Sequence, residues 1–173
     1  EEIKLTSYLE MKKIKVVDTN IGDFICSVFT ERPYSFKSSA AHKNTDQIAD
    51  IYTNQFGVKE NLNAKQLTIY TKNILRKEVY NPEALITGAN FLISNTGSIV
   101  FTENEGNILK STSFAPIHII VAGIDKMITS IDELSVLLPL SSLYDNNKNI
   151  SSLYSIINSP SINEDKVQNL YLI

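Results

Sequence analysis

Ala84-Leu85-Ile86-Thr87-Gly88-Ala89-Asn90-Phe91-Leu92-Ile93-Ser94-Asn95-Thr96-Gly97-Ser98-Ile99-Val100 is the stretch on which the fold turns. Two short runs of β-prone apolar residues, Phe91–Ser94 and Ser98–Thr102, are separated by Asn95-Thr96-Gly97, a turn signal. Thr87-Gly88-Ala89-Asn90 leads into the first run, and Glu103-Asn104-Glu105-Gly106-Asn107 follows the second. Glycine permits positive φ or a close backbone approach, while Thr, Ser and Asn bring short hydrogen-bonding groups to strand ends. Ligands of open α/β sheets bind at such ends. The same residues also build ordinary self-capping turns, which are far commoner than sites. Neither a P-loop nor a dinucleotide fingerprint is present.

Upstream, the texture is helical. Ile3, Tyr8, Leu9 and Lys12 suit a short amphipathic helix, and the alternation of Lys and aliphatic residues over Ile14–Val17 predicts a strand. Ile21–Phe29 is an apolar run closed by Glu31-Arg32-Pro33, because proline pushes the preceding residue out of helical geometry. Asn44 with Gln47, and Asn63 with Gln66, have capping-box spacing. The helices they predict carry Ile48, Ile51, Tyr52 and Phe56 up to Gly57, and Leu67, Tyr70, Ile74 and Leu75 up to Asn81-Pro82. Downstream, Ile117–Val121 reads as a buried strand. Ser130 and Glu133 cap a leucine-rich helix that Pro139 kinks or ends, Asp145–Asn149 is a polar loop, and Ser151–Asn158 and Leu170–Ile173 are late strands. Strands alternating with capped helices predict an α/β fold, a mainly parallel sheet flanked by helices.

Composition narrows the function classes. A chain of 173 residues is long enough for one domain with its own core, burying roughly 70% of its unfolded surface without staples. A formal charge of −3 and a pI near 5.4 give no footprint for nucleic acid or an anionic membrane. Arg32 and Arg76 are the only arginines, so bidentate anion clamps are scarce. One cysteine, Cys26, cannot form an internal disulfide, hold a structural zinc or bind an iron–sulfur cluster; it is read as a buried inert thiol. No run approaches the ~20 apolar residues of a membrane span. A reducing, cytoplasmic location is expected.

The spelling of the 84–107 stretch, with Asn104-Glu105-Gly106-Asn107 at its end, resembles the central signature of the LUD-domain family, and within it the iron–sulfur branch of the lactate-utilisation proteins. Gly22-Asp23-Phe24-Ile25, Ala41-His42-Lys43, Pro116-Ile117-His118, Gly123-Ile124-Asp125-Lys126 and Leu137-Leu138-Pro139-Leu140 sit in the family's order, so nearly the whole chain is covered. The resemblance implies a fold similar to the sugar-isomerase and CoA-transferase superfamily. It also implies a part in oxidising L-lactate to pyruvate beside lactate utilisation proteins A and C. On that footing residues 1–173 are a single LUD domain, a portion lacking N-terminal residues and a C-terminal ferredoxin-like domain. The [4Fe-4S] clusters are expected on that absent part, and no cofactor on this segment. Three departures stand out: Asn95 where the family usually has Glu or Asp, Ser159-Pro160-Ser161 where Gly-Pro is usual, and an Asp145–Asn149 loop without Gly-Thr-Gly. An amide at position 95 cannot transfer a proton.

The resemblance marks Thr87, Gly88, Asn90, Thr96, Gly97, Ser98, Asn104, Gly106 and Asn107 as ligand-binding candidates, for a small carboxylate or a phosphorylated ligand, and Glu105 and His42 as catalytic candidates. On bare chemistry Glu103 and Glu105 could share acid–base work, or form a solvated acidic loop. His42 and His118 have no H-x-H or H-x-x-x-H spacing, so no metal site is expected. His118, inside an apolar strand, reads as a hydrogen-bonded structural histidine. Two alternatives stand beside the redox reading: an isomerase- or CoA-transferase-like enzyme with Glu105 as base, and a non-catalytic assembly module of a redox complex.

Overall fold

Reciprocal Asn–Gln pairs open two helices of the first half of the chain. Asn44 Oδ1 accepts from Gln47 N at 2.9 Å while Gln47 Oε1 accepts from Asn44 N at 3.0 Å. Asn63 and Gln66 repeat the arrangement at 3.0 and 2.9 Å. Each pair satisfies N–H groups that a helix start leaves without partners. The computed structural model describes residues 5–34, 39–58, 62–78, 82–103, 106–146, 153–158 and 169–173. These fall into two compact units, Glu1–Glu78 and Val79–Ile173.

The first unit is helical: α1 (Leu5–Met11), α2 (Ile21–Val28), α3 (Thr45–Phe56) and α4 (Ala64–Glu78). Its core gathers Ile25 and Val28 from α2, Tyr52 from α3 and Leu67 from α4. Tyr52 is wholly buried, and its hydroxyl bonds Thr71 Oγ1 at 2.7 Å. Thr71 in turn donates to Leu67 O at 2.8 Å.

The strand expected over Ile14–Val17 is absent. Lys13 instead takes a left-handed conformation at φ 63° and ends α1, with Ile14 N donating back to Leu9 O at 3.0 Å. Alternation with lysine gave these residues a strand pattern, but no described strand lies beside them to supply a ladder.

The second unit holds β1 (Ala84–Gly88), β2 (Phe91–Ile93), β3 (Ser98–Glu103), α5 (Asn107–Thr112), β4 (Ile117–Val121), β5 (Met127–Ile128), α6 (Leu134–Asn146), β6 (Leu153–Ile157) and β7 (Asn169–Leu172). They form two sheets, ordered β1-β4-β7 and β5-β2-β3-β6. The first sheet is wholly parallel, with Ala84 opposite Ile117 and Ile117 opposite Asn169. In the second, β2 is parallel to β5, whereas β3 is antiparallel to both β2 and β6. The α/β reading therefore holds. The antiparallel part comes from the β2–β3 hairpin that Asn95-Thr96-Gly97 turns.

Strand β3 is buried on both faces, so it lacks the polar alternation of a solvated edge. Ile99 and Phe101 on one face pack with Leu92 and with Ile120 of β4, under Ile108 of α5. Val100, on the other, packs with Ile93 and with Leu134 and Leu138 of α6. Burying a side chain such as Phe101 contributes roughly 1.5–3 kcal/mol. Helix α6 runs on through Pro139 and takes in Asp145 and Asn146; the rest of the expected polar loop lies outside the described residues. Its Val136, Leu140, Leu143 and Tyr144 are exposed, so only part of this helix is core. No helix among the described residues is long and apolar enough to cross a membrane.

Candidate functional site

Thr87 and Gly88 close β1, and parallel pairing places Val121, the last residue of β4, opposite Gly88. This is the carboxyl edge of a parallel sheet, where ligands of α/β folds bind. Pairing also sets Leu85 opposite His118, and Thr87 Oγ1 bonds His118 Nε2 at 2.8 Å. The imidazole is wholly buried and stacks on the Phe101 ring, centroids 5.9 Å apart. Burial pushes the His118 pKa down, so the ring is neutral at pH 7. Its Nδ1 has no hydrogen-bond partner among the described residues.

Asn90 stands just beyond. Its Oδ1 accepts from Thr102 N at 2.8 Å and its own N–H donates to Val100 O at 2.9 Å. With Oδ1 facing an N–H, the Nδ2 group faces the opposite way with two hydrogens to donate.

Glu103 does something the sequence did not announce. It is buried, with 6% of its surface exposed. Its Oε2 accepts from Ile108 N at 2.7 Å and its Oε1 from Leu109 N at 3.0 Å. Helix α5 begins after Gly106, which takes φ 68° and has no side chain with which to cap. The carboxylate three residues upstream supplies the missing acceptors, and its charge suits the positive end of the helix. Glu103 is therefore neither a solvated loop acid nor free for acid–base work with Glu105. Asn104 and Glu105 themselves lie outside the described residues, as does Ser159-Pro160-Ser161. Asn107 is the first residue of α5.

The remaining candidates occupy the far end of the hairpin. Thr96 Oγ1 and Ser98 Oγ bond each other at 2.6 Å, and Gly97 takes φ 67° while donating its N–H to Ile93 O at 2.9 Å. Asn95 N donates to Thr129 O at 3.2 Å, tying the tip to the chain after β5. From Ser98 to Thr102 the strand advances about 14 Å. The structure thus brings Thr87, Gly88, Asn90, Gly106 and Asn107 toward one end of the hairpin and leaves Thr96, Gly97 and Ser98 at the other.

His42 belongs to the first unit, in the turn before α3. Its Nε2 is 2.9 Å from Glu31 Oε2, and Lys43 Nζ is 2.6 Å from Glu31 Oε1. Lys43 lies over the Phe29 ring at 4.3 Å, and the Tyr34 ring is 5.6 Å from that of His42. The Lys43 bond first, and the His42 bond second, hold the Glu31 carboxyl below its usual pKa. The arrangement is a half-exposed charged cluster that orients the imidazole.

Among the described residues no group of three or more His, Cys, Asp or Glu side chains is placed to hold a metal ion. A [4Fe-4S] cluster needs four ligands, chiefly thiolates. The one thiol, on Cys26, is buried in α2 and donates to Ser39 O at 3.1 Å. These residues do not fit a cluster.

Sequence reasoning passed over the Thr87–His118 pair. The partners are 31 positions apart and meet only through the β1–β4 register. A threonine at one strand end and a lone histidine early in another apolar strand were the available signs.

The LUD domain family matches residues 3–171. A Lactate utilization protein B of Geobacillus sp. (strain WCH70) is 30% identical over 161 residues, which is 92% of this chain and 34% of that protein. A protein of the same name from Bacillus cytotoxicus is 34% identical over 140 residues, 81% of this chain and 30% of its own length. The chain thus spans about a third of these curated relatives. A solved structure of a DUF162 family protein from Deinococcus radiodurans aligns over 88% of this chain and 92% of its own, with 16% identity and a TM-score of 0.41. With a family match that runs through both compact units, the chain belongs to the LUD domain family.

Proposed function

We propose that residues 1–173 are the LUD domain of an iron–sulfur protein in a lactate-utilisation system, working in the bacterial cytoplasm in the oxidation of L-lactate to pyruvate. The relatives named Lactate utilization protein B support this context. Lactate utilisation proteins A and C are the proposed partners. The [4Fe-4S] clusters and the electron transfer belong to other parts of the assembly, since the one cysteine here cannot ligate them. This domain's own contribution is to hold a small carboxylate at the carboxyl edge of β1.

The observation that carries this role is the placement of Thr87, Gly88 and Asn90 together at that edge, with short polar groups. No arginine stands in this run, so the ligand would be held by neutral donors, as suits a singly charged carboxylate better than a phosphate. The test is a titration of the isotope-labelled chain with sodium L-lactate, followed through its backbone amides. Shifts should concentrate at Thr87, Gly88 and Asn90 and be absent at Thr96, Gly97 and Ser98. No response at either place, with sodium pyruvate equally silent, would remove substrate binding from this domain.

A further inference from the structure

We infer that His118 is a positioning residue: its Nε2–H donates to Thr87 Oγ1 and so leaves the Thr87 hydroxyl hydrogen to donate to the carboxylate of a small 2-hydroxy or 2-oxo acid. The inference rests on the carboxylate reading above and goes beyond it by assigning the direction of one part-buried hydrogen bond.

A neutral imidazole carries a single N–H, on Nδ1 or on Nε2. Here Nε2 faces Thr87 Oγ1 at 2.8 Å and Nδ1 has no partner among the described residues. Were the proton on Nδ1, the wholly buried ring would hold an N–H donor with nothing to receive it. Orphaned buried donors are rarer than under-used acceptors, so the proton belongs on Nε2. Thr87 Oγ1 then accepts, and the one hydrogen of its hydroxyl remains to be given. The described residues offer it no other side-chain partner.

Thr71 shows what a structural threonine does in the same chain. Its hydroxyl also meets a buried ring group, on Tyr52, but its hydrogen goes to Leu67 O one turn back in the helix. Thr87 lies in a strand, where no backbone carbonyl is presented in that way, and it is the next-to-last residue of β1 at the carboxyl edge. Asn90 adds donors from the other side of Gly88-Ala89, because its Oδ1 is committed to Thr102 N. A hydroxyl and a primary amide, both with hydrogens to give and no charge between them, select an acceptor such as a carboxylate oxygen. The buried histidine is what keeps the hydroxyl in donor orientation; with the opposite tautomer the hydroxyl would spend its hydrogen on the ring.

The test begins on the unaltered chain. Long-range proton–nitrogen spectra of the 15N-histidine-labelled protein report which ring nitrogen of His118 is protonated, with a His42→Gln sample to separate the two histidines. The Nε2–H form is expected, and the Nδ1–H form overturns the inference. Sodium L-lactate, sodium pyruvate and inorganic phosphate are then titrated into wild type, Thr87→Val, His118→Leu and His118→Gln. His118→Gln retains a donor near the Nε2 position, so it should bind the two acids within about twofold of wild type. Thr87→Val and His118→Leu should each bind about fivefold more weakly, the loss of one net hydrogen bond. Unchanged binding in His118→Leu overturns the positioning role alone. Silence of the wild type toward both acids, or a preference for phosphate, overturns the carboxylate reading, and the tautomer still decides the direction of the bond.

Discussion

The two units each set a threonine hydroxyl against a buried ring, and they finish the job differently. In the first, Tyr52, Thr71 and Leu67 O form a chain in which the threonine hydrogen is spent on a backbone carbonyl. In the second, Thr87 meets His118, and the ring's far nitrogen has no partner among the described residues. Ser111 Oγ, buried on α5, is likewise without one there. Fully satisfied polar networks make a core rigid, whereas a half-satisfied one costs stability and needs a reason. The first pair lies inside a helical bundle; in the second, Thr87 stands at the carboxyl edge of a parallel sheet while His118 lies near the start of β4.

The largest effect expected from disturbing this contrast is in the second unit, at Glu103. Its carboxylate satisfies two N–H groups of α5, and Glu103→Ala would orphan both. Each bond is to a charged group, so the variant should lose about 3 kcal/mol of stability in urea unfolding. Hydrogen exchange at Ile108 and Leu109 should accelerate with it. An unchanged midpoint and unchanged exchange would mean that α5 does not depend on this cap. The matching change in the first unit should be milder. Tyr52→Phe removes one hydroxyl but leaves Thr71 bonded to Leu67 O, so it creates no orphan. It should cost about 1 kcal/mol. A loss as large as that of Glu103→Ala would show that the Tyr52 hydroxyl does more than bond Thr71.

What could be read from the chain divides along the same line. The Asn44–Gln47 and Asn63–Gln66 caps are contacts within three residues, so the sequence displays them whole, and the helices follow. The Asn95-Thr96-Gly97 turn is legible for the same reason, Gly97 supplying the positive φ the tip needs. Ile14–Val17 had the local pattern of a strand, but a strand exists only with a neighbour, and pairing is not a local property. Glu103 was legible in principle: an acid shortly before a Gly-Asn helix start is a ready acceptor for uncapped N–H groups. It was hidden by Glu105 two residues on, which made both look like one acidic loop. Thr87 and His118 meet only through strand register, and nothing between residues 87 and 118 announces that register.

The smallest effect is the most specific, because it isolates the unpaired ring. Burial lowers the His118 pKa below its ordinary 6.5, so as pH falls the unfolded chain takes up its proton before the folded one does. Stability from this group is fully present above about pH 6.5 and declines as pH drops from there toward the lower folded value. Glu31, held low by Lys43 and His42, contributes stability that is lost only in a more acidic window, below its ordinary 4.5. Asp18 is raised by burial and by the charges of Asp23 and Glu10, so it acts with the opposite sign and starts from 3.8. Between about pH 7.5 and 5.5 the slope of melting temperature therefore reports chiefly on histidine. His118→Gln keeps a donor toward Thr87 and cannot titrate, so its melting temperature should fall less over that range than the wild type's. An equal fall in the two proteins would place the acid sensitivity elsewhere than at this ring. The contrast between a completed and an uncompleted pair would then have no consequence for stability.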